Sequence, residues 1–198
     1  MIPSRQPHRF DAGGELVTIV LVEPSGPLGY RLAQTARHDA AGDLDDRLAG
    51  VRLPDSADAA TLIDWSRTAL ALVTGKKPGE TTHQVRPEVV GAQRFIDEHL
   101  HETAMLSDAA HHVALSARQL RRLFVADVGI PFRRYVLWRR VCRAVLTVQD
   151  GTDLTTAAAT AGFADSAHFS RTFRKTFGLN PSQVLPLVSV AEADFLGQ

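Results

Sequence analysis

A chain of 198 residues that is 44% hydrophobic and 22% charged can hold one large domain or two small ones, and that balance is ordinary for a globular protein and argues against disorder. Its formal net charge is zero, so a nucleic-acid-binding surface would have to come from local clustering rather than from the total. The one cysteine, Cys142, excludes an intrachain disulfide, lacks the Cys/His spacing of a zinc site, and points to a reducing compartment.

The N-terminus shows no charged-then-apolar signal pattern. The longest apolar run, residues 16–22, is far too short to span a bilayer, so a cytoplasmic protein without a membrane partner is expected. Residues 15–22 are rich in β-branched side chains between Gly13-Gly14 and Pro24-Ser-Gly-Pro27, which predicts a strand. So short a β-piece is marginal without partners. Residues 58–74 predict a helix, with Leu62, Trp65, Ala69, Leu72 and Val73 at helical spacing and Gly75 as a stop; the stripe reads as core, with a dimer contact as the alternative. Residues 76–84 combine Pro, Gly and polar side chains and predict an exposed linker.

Beyond the linker the chain is helical. Pro87 suits a first helical turn, and Val89, Ala92, Ile96 and Leu100 follow on one face. From Leu106 the spacing fits a helix-turn-helix: Ala110 where the helices cross, Ala114 at the turn, Leu115 just after it, Ser116 as N-cap, and Leu120 and Leu123 inward. That leaves Arg118, Arg121 and Arg122 on the outer face, where a guanidinium can bond guanine O6 and N7 together. Between Ser116 and Leu146 the chain has eight arginines and one acid, Asp127. The unit then recurs. Arg122, Phe124 and Gly129 reappear as Arg171, Phe173 and Gly178 at an offset of 49 residues, whereas Ala110 and Ala158 are 48 apart. The second turn, around Gly162-Phe-Ala-Asp165, is therefore one residue longer. Residues 131–149 predict a single connecting helix of roughly 28 Å, against about 34 Å between successive major grooves.

These residues resemble the DNA-binding domain of AraC/XylS-type transcription regulators, above all through Ala158-x3-Gly162-Phe163, Phe169-Ser170-Arg171-x-Phe173 and Gly178-x2-Pro181. The resemblance implies a mainly α fold: a seven-helix double helix-turn-helix domain over residues 85–188, a small incomplete β/α region over 1–75, a linker over 76–84 and a tail over 189–198. It implies DNA contacts at Arg118, Arg121 and Arg122 in the first unit. In the second it implies Ser166, Ala167, His168 and Arg171, with Arg174 and Lys175 further along the same helix. His168 has a phosphate contact or plain exposure as alternatives. The second set is chemically poorer, pointing to phosphate contacts and DNA shape there.

Two positions depart from the family pattern. Ala157 replaces a larger aliphatic, and Val184-Leu185 replaces an aromatic-arginine pair, which predicts weaker packing and one fewer phosphate contact. The N-terminal region resembles the end of a cupin-type sensor, with Pro3 to His8 similar to a cupin motif that has Arg5 in its glycine position. Most of such a barrel is missing, through a late start or a reduced sensor.

The implied partners are double-stranded DNA and RNA polymerase, a second copy through residues 58–74, and an effector that the sequence does not identify. No metal and no cofactor is expected. His8, His99, His101, His111 and His112 read as loop or solvated-face residues, lacking a convergent ligand set. Phe132, Tyr135 and Trp138 read as core anchors, and the arginines of the connecting helix read as a solvated face. Two competing functions are a DNA-recruited enzyme with a reactive cysteine, which a cysteine in the connecting helix disfavours, and a protein-interaction module that titrates a relative.

Overall fold

The computed structural model describes residues 22, 29, 30, 32, 35, 47–52, 54, 58–75 and 84–185, and the chain divides into two units after Gln84. The expected cupin-like segment, the linker positions 76–83 and the tail lie outside the described residues, as does the strand except for Val22. Among the described residues there are helices and no strand.

In the first unit, α1 spans Ala59–Thr74. Asp58 starts it, its carboxylate accepting from the Thr61 N–H at 2.9 Å and the Thr61 hydroxyl at 2.6 Å, which satisfies an otherwise orphaned first-turn donor. Gly75, at φ 66°, ends it in the left-handed conformation that a residue without Cβ adopts at little cost. Val73 is buried and Leu72 exposed, so the apolar stripe is only partly covered.

Among its described residues the second unit contains seven helices: α2 Pro87–Glu98, α3 Leu106–His112, α4 Ala117–Val128, α5 Phe132–Gln149, α6 Leu154–Thr160, α7 Ser166–Phe177 and α8 Pro181–Val184. Proline opens both α2 and α8, where its missing N–H costs nothing. The unit has two cores. Val89, Ala92 and Ile96 of α2 meet Ala109 and Ala110 of α3, Leu120, Phe124 and Val128 of α4, and Phe132, Tyr135 and Val136 from the first half of α5. Val141, Ala144 and Val145 from the second half of α5 meet Ala158, Ala161, Phe163, Phe169, Phe173 and Leu185. Leu185 is thus part of the second core. Helix α5, of 18 residues and about 27 Å, begins one residue later than expected because Pro131 is its N-cap.

Aromatic rings organise both cores. Phe124 meets Phe132 and Tyr135 edge-on at 5.3 Å, and Phe169 packs on Phe163 and Phe173 at 5.3 and 5.7 Å, within the favourable range for ring pairs. The Tyr135 hydroxyl accepts from Gln93 at 3.1 Å. Phe132 and Tyr135 are therefore core anchors, and Trp138 packs half-buried against the first core.

Candidate nucleic-acid interface

Each half of the second unit presents one helix outward, and the same backbone device positions both. Helix α3 ends with the Leu115 N–H donating to the Ala110 carbonyl at 2.8 Å and the Ala114 N–H to the His111 carbonyl at 3.1 Å. Helix α6 ends with the Phe163 N–H donating to the Ala158 carbonyl and the Gly162 N–H to the Ala159 carbonyl, both at 3.0 Å. This is the Schellman arrangement, which needs a left-handed residue at its hinge. That residue is Ala114, at φ 54°, in the first turn and Gly162, at φ 83°, in the second. The two hinges are 48 residues apart, but the N-caps that follow, Ser116 and Asp165, are 49 apart. Ala164 is thus the extra residue.

The caps aim the two outward helices. At α4 the Gln119 N–H donates to Ser116 Oγ at 3.2 Å while Gln119 Oε1 accepts from the Ser116 N–H at 3.0 Å, a reciprocal capping box. At α7 the Asp165 carboxylate accepts from the His168 N–H at 2.5 Å. Gly129 and Gly178 close the two helices at φ 79° and 77°.

With Leu120, Phe124 and Val128 buried, the 100° helical step turns Arg118, Arg121, Arg122 and Val125 to the opposite side of α4. All four are exposed. With Phe169 and Phe173 buried, the same step turns Ala167, Ser170, Arg171 and Arg174 outward on α7, with Lys175 beside them. Ala167, Arg171, Arg174 and Lys175 are exposed, whereas Ser166, His168 and Ser170 are half-buried. The His168 ring sits edge-on to Phe163 at 5.4 Å, so it and Ser166 occupy the flanks of the face. Two members of these faces were missed from the sequence. Val125 and Ser170 are the counterparts of Arg174 and Arg121 at the 49-residue offset, which was the signal available to find them.

The remaining charges of the basic segment are divided between surface and structure. Arg133, Arg134 and Arg143 are exposed. Arg139 Nε donates to Asp97 Oδ1 at 2.7 Å, tying α5 to α2. Arg140 Nε donates to the Leu100 carbonyl at 3.0 Å and Nη2 to the Glu102 carbonyl at 2.5 Å; burial pulls its guanidinium below the ordinary arginine value. Asp127, buried at 5% exposure, accepts from the Arg86 N–H at 3.0 Å and pairs with the Arg86 guanidinium at 2.6 Å, so the segment's one acid fastens the start of α2. Neither Arg139 nor Arg140 belongs to a solvated face, which corrects the expectation from the sequence. Ion pairing and carbonyl contacts half-bury them.

Of the histidines expected on solvated faces, His101, His111 and His112 are exposed. His99 is half-buried and stacks on Phe95 at 4.2 Å, against which His112 also tilts at 5.4 Å. Among the described residues no group of three or more potential metal ligands converges, and no helix is long and apolar enough to cross a membrane.

A family described as a helix-turn-helix domain matches residues 109–186. The transcriptional activator NphR of a Rhodococcus species is 34% identical over 129 residues, which cover 62% of this chain and 37% of that protein. The transcriptional activator RhrA of Rhizobium meliloti is 29% identical over 118 residues, covering 58% of this chain and 36% of its own. The chain thus spans little more than a third of the length of these curated relatives. A solved transcriptional regulator from Chromobacterium violaceum, described as containing an AraC-type DNA-binding domain, is 30% identical over 49% of this chain and 88% of that one, with a TM-score of 0.47. The matched region holds the whole second helix-turn-helix unit and the first from Ala109 onward, and the curated relatives that share it are transcriptional activators.

Proposed function

We propose that this chain regulates transcription by binding double-stranded DNA through α4 and α7, one in each of two successive major grooves. The observation that carries the reading is the repeated geometry: two capped helices with buried apolar sides present arginine-bearing faces at one sequence offset. Arg118, Arg121 and Arg122 are positioned to read base edges, and Val125 to meet a thymine methyl. Arg171, Arg174 and Lys175 suit phosphates and the shape of the second groove, with Ser166, Ala167 and His168 as lesser contacts.

Activation through RNA polymerase, a cytoplasmic setting and dimerisation through α1 are further parts of the proposal. The exposed Leu72 supports the last. A non-enzymatic role fits Cys142, a half-buried residue of the linking helix.

The test is selection of duplexes from a random pool by the purified full chain, followed by titration at several salt concentrations. The expected result is an enriched sequence with two subsites about one helical turn apart, and affinity that falls steeply with salt, by roughly 0.9 log units per log unit of salt for each phosphate neutralised. Absence of any enriched sequence and of any salt-dependent binding would overturn the proposal.

A further inference from the structure

The two helix-turn-helix units have separate cores that share only α5, so their mutual placement depends on contacts that bridge from one core to the other. Among the described residues, one polar and one aromatic contact do so. The polar one is centred on Arg140, whose guanidinium fills the carbonyl oxygens of Leu100 and Glu102 just past the C-terminal end of α2. A guanidinium there makes charge-assisted hydrogen bonds to two carbonyls that lie beyond the helix's own ladder. Gly162, the hinge of the second turn, lies on the same spot. A Cβ at that position would collide with the Leu100 carbonyl oxygen and stand 3.0 Å from Arg140 Nε and 3.1 Å from Cζ. The aromatic contact joins Trp138, which packs on the first core, to Phe177, which packs on the second, edge-on at 6.2 Å.

From these contacts we infer that Arg140 is a positioning residue: by locking the end of α2 to α5 directly beneath the Gly162 turn, it fixes the separation and orientation of the two recognition helices. Arg140 thereby sets the spacing of the two DNA subsites that the chain accepts. The inference rests on the DNA-reading function proposed above. Two reading heads held rigidly gain from simultaneous engagement only when the subsites match their geometry, and that gain is lost when the spacing is wrong. Heads joined more loosely would tolerate several spacings at lower peak affinity.

The experiment measures binding of the full chain to its selected duplex and to duplexes with one or two base pairs inserted or deleted between the subsites. Wild type should prefer the selected spacing by about tenfold or more. Arg140→Met, which keeps the aliphatic stem but abandons both carbonyls, should narrow that ratio to within about threefold, and Arg140→Lys should fall between. Circular dichroism and thermal melting establish that each variant is folded. Should Arg140→Met fail to fold, Arg140→Lys and Phe177→Leu carry the same test, the latter removing the aromatic bridge while keeping apolar volume.

A uniform loss of affinity with an unchanged spacing ratio in folded variants would overturn the inference and leave Arg140 a merely stabilising residue. Failure of the wild type to bind any duplex would refute the DNA-reading function itself, and this inference with it.

Discussion

The two helix-turn-helix units share their interior and differ at their surfaces. Leu120, Phe124 and Val128 of α4 correspond to Phe169, Phe173 and Phe177 of α7, and Ala110 corresponds to Ala158; all are apolar and inward. The outward face runs Arg118, Arg121, Arg122, Val125 in one unit and Ala167, Ser170, Arg171, Arg174 in the other. A helix-turn-helix is held together by one side of its second helix and reads with the opposite side, so the two sides can diverge independently. The first face carries three forked donors suited to base edges, and the second places its charge towards the end of the helix. Sequence discrimination should therefore be concentrated in the first unit.

The largest expected effect probes the hinge difference. Gly162→Val would introduce a β-branched side chain at φ 83° and drive its Cβ into the Leu100 carbonyl oxygen. Strain and collision together should cost at least about 3 kcal/mol, seen as a lost or strongly lowered melting transition. A melting temperature equal to that of wild type would show that the second turn does not depend on a residue lacking Cβ.

A smaller effect separates the two reading faces. Arg122→Ala should cost about 1–3 kcal/mol of affinity on the selected sequence and relax preference at one base position. Arg174→Ala should weaken all sequences alike and lower the salt slope by about 1. The contrast between faces would collapse if Arg122→Ala weakened every sequence equally, because Arg122 would then hold phosphate.

Helix boundaries were legible wherever they depend on near neighbours. Ser116, Pro87 and Gly75 each act on groups within a few residues, and the structure places each at the expected cap or first turn, whereas Asp58, read as the first residue of its helix, is the N-cap. The core faces were legible from helical periodicity, and the internal repeat exposed the double unit. Arg139, Arg140 and Asp127 were not legible. Their partners Asp97, Leu100 and Arg86 lie 40 to 42 residues away, and no local pattern distinguishes an arginine that pairs across helices from one that faces solvent. Val125 and Ser170 lay between these cases: the 49-residue offset could have located them, but neither side chain has the charge or the fork that marks a DNA contact by type.

The smallest expected effect comes from the same hinge position in the first unit, where the chain uses alanine. Ala114 sits at φ 54°, a conformation in which Cβ crowds the following carbonyl at a cost of roughly 1–2 kcal/mol. Ala114→Gly would relieve that crowding. Its side chain is exposed, so little burial would be lost with the methyl group. Against the relief stands the greater freedom of glycine in the unfolded chain, about 0.5–1 kcal/mol. The balance predicts a gain of about 0.5–1 kcal/mol, or a rise of roughly 2–6 °C in melting temperature for a unit of about a hundred residues. The helix-capping geometry stays intact, so affinity for the selected duplex should remain within about twofold. An unchanged or lowered melting temperature would mean that the first turn bears no strain at Ala114, and the two hinges would then differ only in the close approach that Gly162 makes to Leu100 and Arg140.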